Sequence, residues 1–322
     1  MNQVIPKQIA IEVTSRCQLR CQGCMKTLGY PDQDMPLDFF KSIIDRNYFD
    51  ATIIPYQNGE PLLHPDIFKM IEYTISKGMR SYITTNGLIW NEDLFQLITE
   101  KNRCYQIIFS LDGIVDNKSR SIEQARPGSN RKLIYDHIMR FKELKEKKGN
   151  NIDLCLKFCH RGQDWAEMEE FIGYWLNEGI DYICIGRMLN QTGKELRIYP
   201  CQYFDSMYML IRVDGELIPC MYNYDVAIKN YFEIGKLNDK ISLVDAYNNI
   251  TLQKLREDQA NGVFHGPCKT CNSAYTGYGF RGELTLNRDT YKVGKLYHGK
   301  DYYNEMYSRI DKQIGVQHER IQ

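Results

Sequence analysis

The feature that most constrains this chain is a regular alternation of short apolar runs with helical patterns, from Gln8 to Leu189. The strand candidates are Ile9–Thr14, Thr52–Gln57, Ser81–Thr85, Gln106–Leu111, Ile152–Phe158 and Tyr182–Arg187, all rich in Ile, Val, Tyr and Phe. Helical patterns lie between them at Leu37–Arg46, Asp66–Lys77, Glu92–Lys101, Arg131–Lys147 and Trp165–Glu178. Gly78, Gly149 and Gly179 follow three of these, where a helix C-terminal cap is expected. Strand–helix alternation of this length predicts an α/β fold with a parallel sheet and right-handed crossovers. Six units make an incomplete (β/α)6 barrel, with ligands gathered at the C-terminal ends of the strands.

The pattern changes near Tyr199. A hairpin is expected from Tyr208–Val213 and Glu216–Pro219, turned at Asp214-Gly215, then one helix over Leu243–Gln259. Residues 1–197 therefore read as the barrel, and 198–322 as a smaller second domain with a polar tail. The formal net charge is zero, which gives no electrostatic case for a nucleic-acid or membrane partner. No apolar stretch is long enough to span a bilayer, and Met1–Gln8 lacks a hydrophobic signal core. A cytoplasmic, reducing location follows. There the 11 cysteines are better read as metal ligands or catalytic groups than as disulfides.

Three cysteines, Cys17, Cys21 and Cys24, fall directly after the first strand, within eight residues. Three thiolates on one short loop suit one face of an iron–sulfur cubane and leave its fourth iron open to another ligand. The competing reading is a partial zinc site, but zinc favours paired Cys-x2-Cys units or added histidine, and the chain's first histidine is the distant His64. Four more cysteines, Cys201, Cys220, Cys268 and Cys271, lie in the second region. Cys201 and Cys220 bracket the hairpin, whose strands bring its ends together, and a Cys-x2-Cys pair follows the helix. Four thiolates there would close either an iron–sulfur cluster or a structural zinc site.

The Cys-x3-Cys-x2-Cys spacing after a first strand resembles the signature of the radical SAM superfamily. The resemblance covers about residues 8–280 and implies a partial (β/α)6 barrel. It also implies a [4Fe–4S] cluster whose open iron is chelated by S-adenosylmethionine, and reductive cleavage to a 5′-deoxyadenosyl radical that abstracts a hydrogen atom from the substrate. Asn58-Gly59-Glu60-Pro61 is similar to that family's GGE motif, with Asn58 in place of the first Gly; a backbone acceptor near Gly59 and the Glu60 carboxylate would hold the methionine ammonium. Thr84-Thr85-Asn86-Gly87 matches the family's third-strand ending. By the same resemblance Ser110 and Asp112 would bond the ribose hydroxyls, an acceptor role an aspartate can fill, and Lys157 would meet the methionine carboxylate. Gly23 stands where the family commonly has an aromatic residue, so adenine must find its apolar contact elsewhere. The stretch from Pro200-Cys201 to Pro219-Cys220 resembles the SPASM/twitch extension, whose cysteines ligate an auxiliary [4Fe–4S] cluster. No cysteine follows Cys271 in residues 272–322, so one auxiliary cluster is implied.

Cys104, Cys155, Cys159 and Cys184 read as buried thiols. Cys159, at a strand's C-terminal end, is also a candidate hydrogen-atom donor, and Arg187, ending the sixth strand, a candidate substrate contact or base. The first strand begins so early that no fused peptide-recognition domain is expected. These features favour a redox-type reaction, dehydrogenation or epimerisation, on a small polar metabolite, with a flavodoxin or ferredoxin as one-electron donor. The alternatives are a peptide-modifying enzyme that uses a separate recognition protein, and a non-catalytic zinc-binding module.

Overall fold

In a computed structural model of the chain, the described residues are 4–22, 24–46, 51–101, 103–111, 126–160, 165–187, 201, 208–220, 232, 234–237, 242–269 and 284–287. The barrel strands are β1 (Gln8–Ile11), β2 (Thr52–Ile54), β3 (Arg80–Thr85), β4 (Cys104–Ser110), β5 (Asp153–His160) and β6 (Tyr182–Arg187). Each pairs in parallel with the next. The helices between them are α1 (Leu37–Arg46), α2 (Ile67–Ser76), α3 (Glu92–Glu100), α4 (Arg131–Lys148) and α5 (Trp165–Asn177). All six expected strands and all five expected helices are present, with ends moved by a few residues. The chain is therefore a mostly parallel α/β partial barrel. Gly149, at φ +60°, closes α4 in the left-handed conformation that a side chain would resist.

Alternation along the strands sorts side chains to two faces. Phe109 and Phe158 are fully buried against rings of the helices: Phe109 lies 6.3 Å from Phe141 of α4, and Phe158 5.0 Å from Phe171 of α5. Ser110, Lys157 and Cys159 alternate with these rings and so belong to the opposite, lumen-side face. β4 and β5 are in register there, Ser110 opposite Lys157.

Beyond β6 the structure adds three strands to the same sheet. β7 (Tyr208–Ile211) lies parallel to β1, β8 (Leu217–Ile218) returns antiparallel to β7, and β9 (Leu284–Leu286) lies antiparallel to β6. The order is β8-β7-β1-β2-β3-β4-β5-β6-β9. The hairpin, which the sequence assigns to the smaller C-terminal region, is thus hydrogen-bonded into the barrel's own sheet. Gly215 makes its turn at φ +85°, with its N–H donated to Arg212 O at 2.9 Å. The segment expected as one helix over Leu243–Gln259 is instead two, α6 (Leu243–Tyr247) and α7 (Ile250–Ala260). The break is chemical: Asn249 Oδ1 accepts the Leu252 N–H at 2.8 Å and starts a new helix. Beside it, Asn248 clamps the N-terminal segment, accepting from Val4 N at 2.8 Å and donating to Val4 O at 2.7 Å. No described helix is long and apolar enough to cross a membrane.

Candidate active site

The first cysteine set sits on a loop fixed from several sides. Cys24 N–H donates to Cys21 O at 3.1 Å, and Thr27 N–H to Cys24 O at 3.0 Å, so the last two cysteines share one tight turn. A short 3-10 helix, Met25–Leu28, follows. Its Lys26 turns back into the protein to bond Tyr30 O and Asp32. On the other side Arg16 donates to Leu63 O at 2.6 Å and pairs with Asp34 at 2.8 Å. The thiols of Cys17, Cys21 and Cys24 are all half-buried. Burial, with smaller contributions from negative charge on Glu60, Cys21 and Cys24, pushes the Cys17 thiol up to about 11 against the opposing bond from Leu19 N–H. Among the described residues, no three His, Cys, Asp or Glu side chains gather round a point where one metal ion would sit. A cubane takes each thiolate at a different corner and needs no such point.

His64 is excluded as a partner of the triad by its own bonds. Its Nδ1 accepts the Asp66 N–H at 3.0 Å, which leaves Nε2 as the donor to Met35 O at 2.9 Å. Both ring nitrogens are committed to backbone.

The Asn58-Gly59-Glu60-Pro61 loop packs directly on the cysteine loop. Glu60 N–H donates to Arg16 O at 2.7 Å. A Cβ added to Gly59 would stand 2.2 Å from Thr14 O and 2.8 Å from Arg16 O, so only glycine allows the two backbones to touch. The Glu60 carboxylate is buried and accepts three bonds: Leu62 N at 3.2 Å, Thr85 Oγ1 at 2.8 Å and Asn86 N at 2.7 Å. Burial raises its pKa to about 7, against those bonds and the charge of Arg126, which lower it. Three donors leave lone-pair capacity on this carboxylate for a cationic ligand. Asn86 links the same elements from the third strand. Its Nδ2 stands 3.8 Å from Cys17 Sγ, and its Oδ1 accepts from Gln18 and Leu88.

Asn58, the departure from the GGE pattern, has a specific use. Its Nδ2 donates at 2.6 Å to Oε1 of Glu12, a fully buried carboxylate that sequence reasoning missed. Oε2 of Glu12 accepts from Tyr30 OH at 2.9 Å and from Val213 N at 3.3 Å, with Arg212 Nε 3.9 Å away. Arg212 also stacks on the Tyr30 ring, 4.8 Å from its centroid. This knot ties β1, the end of the cysteine loop, the Asn58 loop and the β7–β8 hairpin together. Burial raises the Glu12 pKa, and its four partners oppose the rise. A glutamate raised in the folded state favours folding most below its unfolded pKa, and that contribution is lost as pH climbs through the folded value. Removing the cation should deepen the loss. Arg212→Met is therefore expected to cost about 3 kcal/mol at neutral pH. The deficit should shrink as acid neutralises Glu12, as read by denaturant unfolding across pH; a deficit independent of pH would refute the charge argument.

Of the other expected contacts, Ser110 and Lys157 are half-buried neighbours across β4 and β5. Cys159 is half-buried on β5, and its backbone partner is Gly186. Arg187 ends β6 opposite His160, but its side chain, like all of Asp112, Gly23 and Cys271, lies outside what the structure describes. Cys104, Cys155 and Cys184 are buried, the last two with sulfurs 3.2 Å apart. Thr84 shares the lumen-side face, two residues before Asn86 and in register with Ile108. Among the described residues, its buried hydroxyl meets no hydrogen-bond partner. A buried carboxylate with spare acceptor capacity, packed beside a loop that carries three thiols, fits S-adenosylmethionine and a cubane.

In the second set, Cys201 and Cys268 are buried and Cys220 is half-buried after β8. Cys201 and Cys268 are joined through Gln259, which also had no signal in the sequence. All ten described cysteines are thiols rather than disulfides.

A family model for the radical SAM superfamily matches residues 11–196, and one for the SPASM iron–sulfur cluster-binding domain matches residues 199–272. Among curated proteins, the chain is 22% identical over 294 residues to a tungsten-containing aldehyde ferredoxin oxidoreductase cofactor-modifying protein of Pyrococcus furiosus, covering 76% of this chain and 81% of that one. Two further relatives match over shorter stretches, and the chain spans only 32% and 28% of their lengths. Among solved structures, anSMEcpe with bound AdoMet and Cp18Cys peptide superposes with a TM-score of 0.61 at 14% identity, covering 96% of each chain. BtrN in complex with AdoMet and 2-DOIA gives a TM-score of 0.55 at 19% identity, covering 88% of this chain and 100% of that one.

Proposed function

This chain belongs to the radical SAM superfamily and carries a SPASM domain, and from that premise we propose that it catalyses a redox-type reaction, dehydrogenation or epimerisation, on a small polar metabolite. The chain uses S-adenosylmethionine and [4Fe–4S] clusters, one of them auxiliary. When bound, this set supplies a 5′-deoxyadenosyl radical able to take a hydrogen atom from a substrate C–H, and a one-electron acceptor. The chain's own residues do the rest. Cys17, Cys21 and Cys24 hold the first cluster; Cys201, Cys220, Cys268 and Cys271 hold the auxiliary one. Glu60 and the Gly59 backbone seat the methionine ammonium, Lys157 its carboxylate, and Ser110 with Asp112 the ribose. Thr84 offers its hydroxyl on the lumen-side face. Cys159 and Arg187, at the ends of β5 and β6, are the candidate hydrogen-atom donor and substrate contact. A flavodoxin or ferredoxin in a cytoplasmic, reducing setting supplies the electron.

The observation that carries this reading is the count of late cysteines. Four occur after residue 198 and none in 272–322, enough for one auxiliary cluster. BtrN, solved with AdoMet and 2-DOIA, aligns over 100% of its length, and this likeness of fold supports the reading. The reading is tested by incubating reconstituted enzyme with sugars and aminocyclitols and measuring 5′-deoxyadenosine. Substrate-dependent release above the uncoupled rate is expected for at least one. The 96% mutual coverage with the peptide-bound anSMEcpe favours a second reading, peptide modification. Turnover confined to peptides would establish that second reading and overturn the first.

A further inference from the structure

A glutamine with 1% of its surface exposed must have its amide satisfied. Gln259 lies in the last turn of α7, on the side that buries Leu252 and Leu255. Its Oε1 accepts the backbone N–H of Cys201 at 2.8 Å. That N–H can only donate, so the amide's orientation is fixed and its NH2 group turns the other way. There it meets Cys268 Sγ at 3.5 Å. Cys201 and Cys268 lie near opposite ends of the segment 199–272 and are both buried, yet one side chain spans them. At the first cysteine set the same donor type recurs, with Asn86 Nδ2 3.8 Å from Cys17 Sγ.

An N–H directed at a cluster-ligating sulfur withdraws electron density from it. The reduced, more negative cluster gains more from that bond than the oxidised one, so the potential rises. We propose that Gln259 is a positioning residue of the auxiliary iron–sulfur site: its amide holds Cys201 and Cys268 together and, through the N–H on Cys268 sulfur, raises the reduction potential of the cluster they ligate. The inference rests on the assignment of these cysteines to the auxiliary cluster. Because the amide acts on a ligand and touches no substrate, its signature is spectroscopic.

Two substitutions separate the parts of the role. Gln259→Glu keeps an acceptor for Cys201 N–H but presents oxygen, not N–H, to the sulfur. Gln259→Leu removes both bonds. Full-length protein, reconstituted anaerobically, is compared for iron content and by EPR-monitored redox titration. Wild type should hold about eight irons, two cubanes. Gln259→Glu should keep them and show a more negative midpoint for the auxiliary signal, with that of the triad's cluster unmoved. Gln259→Leu should lose the auxiliary irons selectively. An unchanged auxiliary midpoint with full iron in both variants overturns the proposal, as does loss of both clusters together. A wild-type protein holding only about four irons would instead refute the underlying assignment of the four late cysteines.

Discussion

Cys21→Ala should bring S-adenosylmethionine cleavage down to background and remove about four of about eight irons. The loop around Cys21 is held by backbone bonds from Cys24 and Thr27, by the buried Lys26, and by Arg16 anchored on Leu63 and Asp34. Alanine therefore removes a ligand without collapsing the loop, and the thermal midpoint of the apoprotein should barely move. The contrasting variant is Cys268→Ala, at the other set. It should keep uncoupled cleavage of S-adenosylmethionine, measured as 5′-deoxyadenosine, while losing turnover of substrate. Identical behaviour of the two variants would mean that the cysteine sets do not divide the labour as assigned.

Gly59→Ala is the second large effect, and its mechanism is steric. The added methyl would occupy space 2.2 Å from one carbonyl oxygen and 2.8 Å from another, both backbone atoms of the strand-to-cysteine-loop segment. Neither can rotate away as a side chain would. The Asn58–Pro61 loop must move off the cysteine loop, breaking the 2.7 Å bond from Glu60 N to Arg16 O. Overpacking of this kind costs about 1–3 kcal/mol in stability. The larger consequence is for the ligand, because Glu60 and the cysteine loop lose their mutual register. Affinity for S-adenosylmethionine, read by calorimetry on the reconstituted protein, should fall by roughly tenfold or more, as about 1.4 kcal/mol of lost binding implies. Wild-type affinity with full iron content would show that this contact does not set the site.

The barrel was legible in the sequence because its strands and helices are each marked locally, by apolar runs, helical patterns and glycine caps. Tyr182–Arg187 and Leu37–Arg46 even match to the residue. The cysteine loop was legible for the same reason: its three cysteines fall within eight residues. What was not legible depends on partners distant in the chain. Glu12 looks like an ordinary polar position within the expected strand Ile9–Thr14 until Asn58, Tyr30 and Arg212 are brought around it. Gln259 looks like a surface residue of a polar helix until Cys201 and Cys268 fold onto it. The split of the late helix had a local signal that was available, since adjacent Asn248 and Asn249 are strong cap formers. The pairing of β7 with β1 had none.

That pairing governs the order in which the molecule can be assembled. β1 is an inner strand whose neighbours are Thr52–Ile54 on one side and Tyr208–Ile211 on the other. During synthesis its second edge stays open until residues near 211 have left the ribosome, well past the point where the six barrel units are complete. An open inner edge invites wrong pairing, and closing it carries the entropic cost of a very long loop. The strand that delivers Cys17, Cys21 and Cys24 is thus sealed by the hairpin that ends at Cys220.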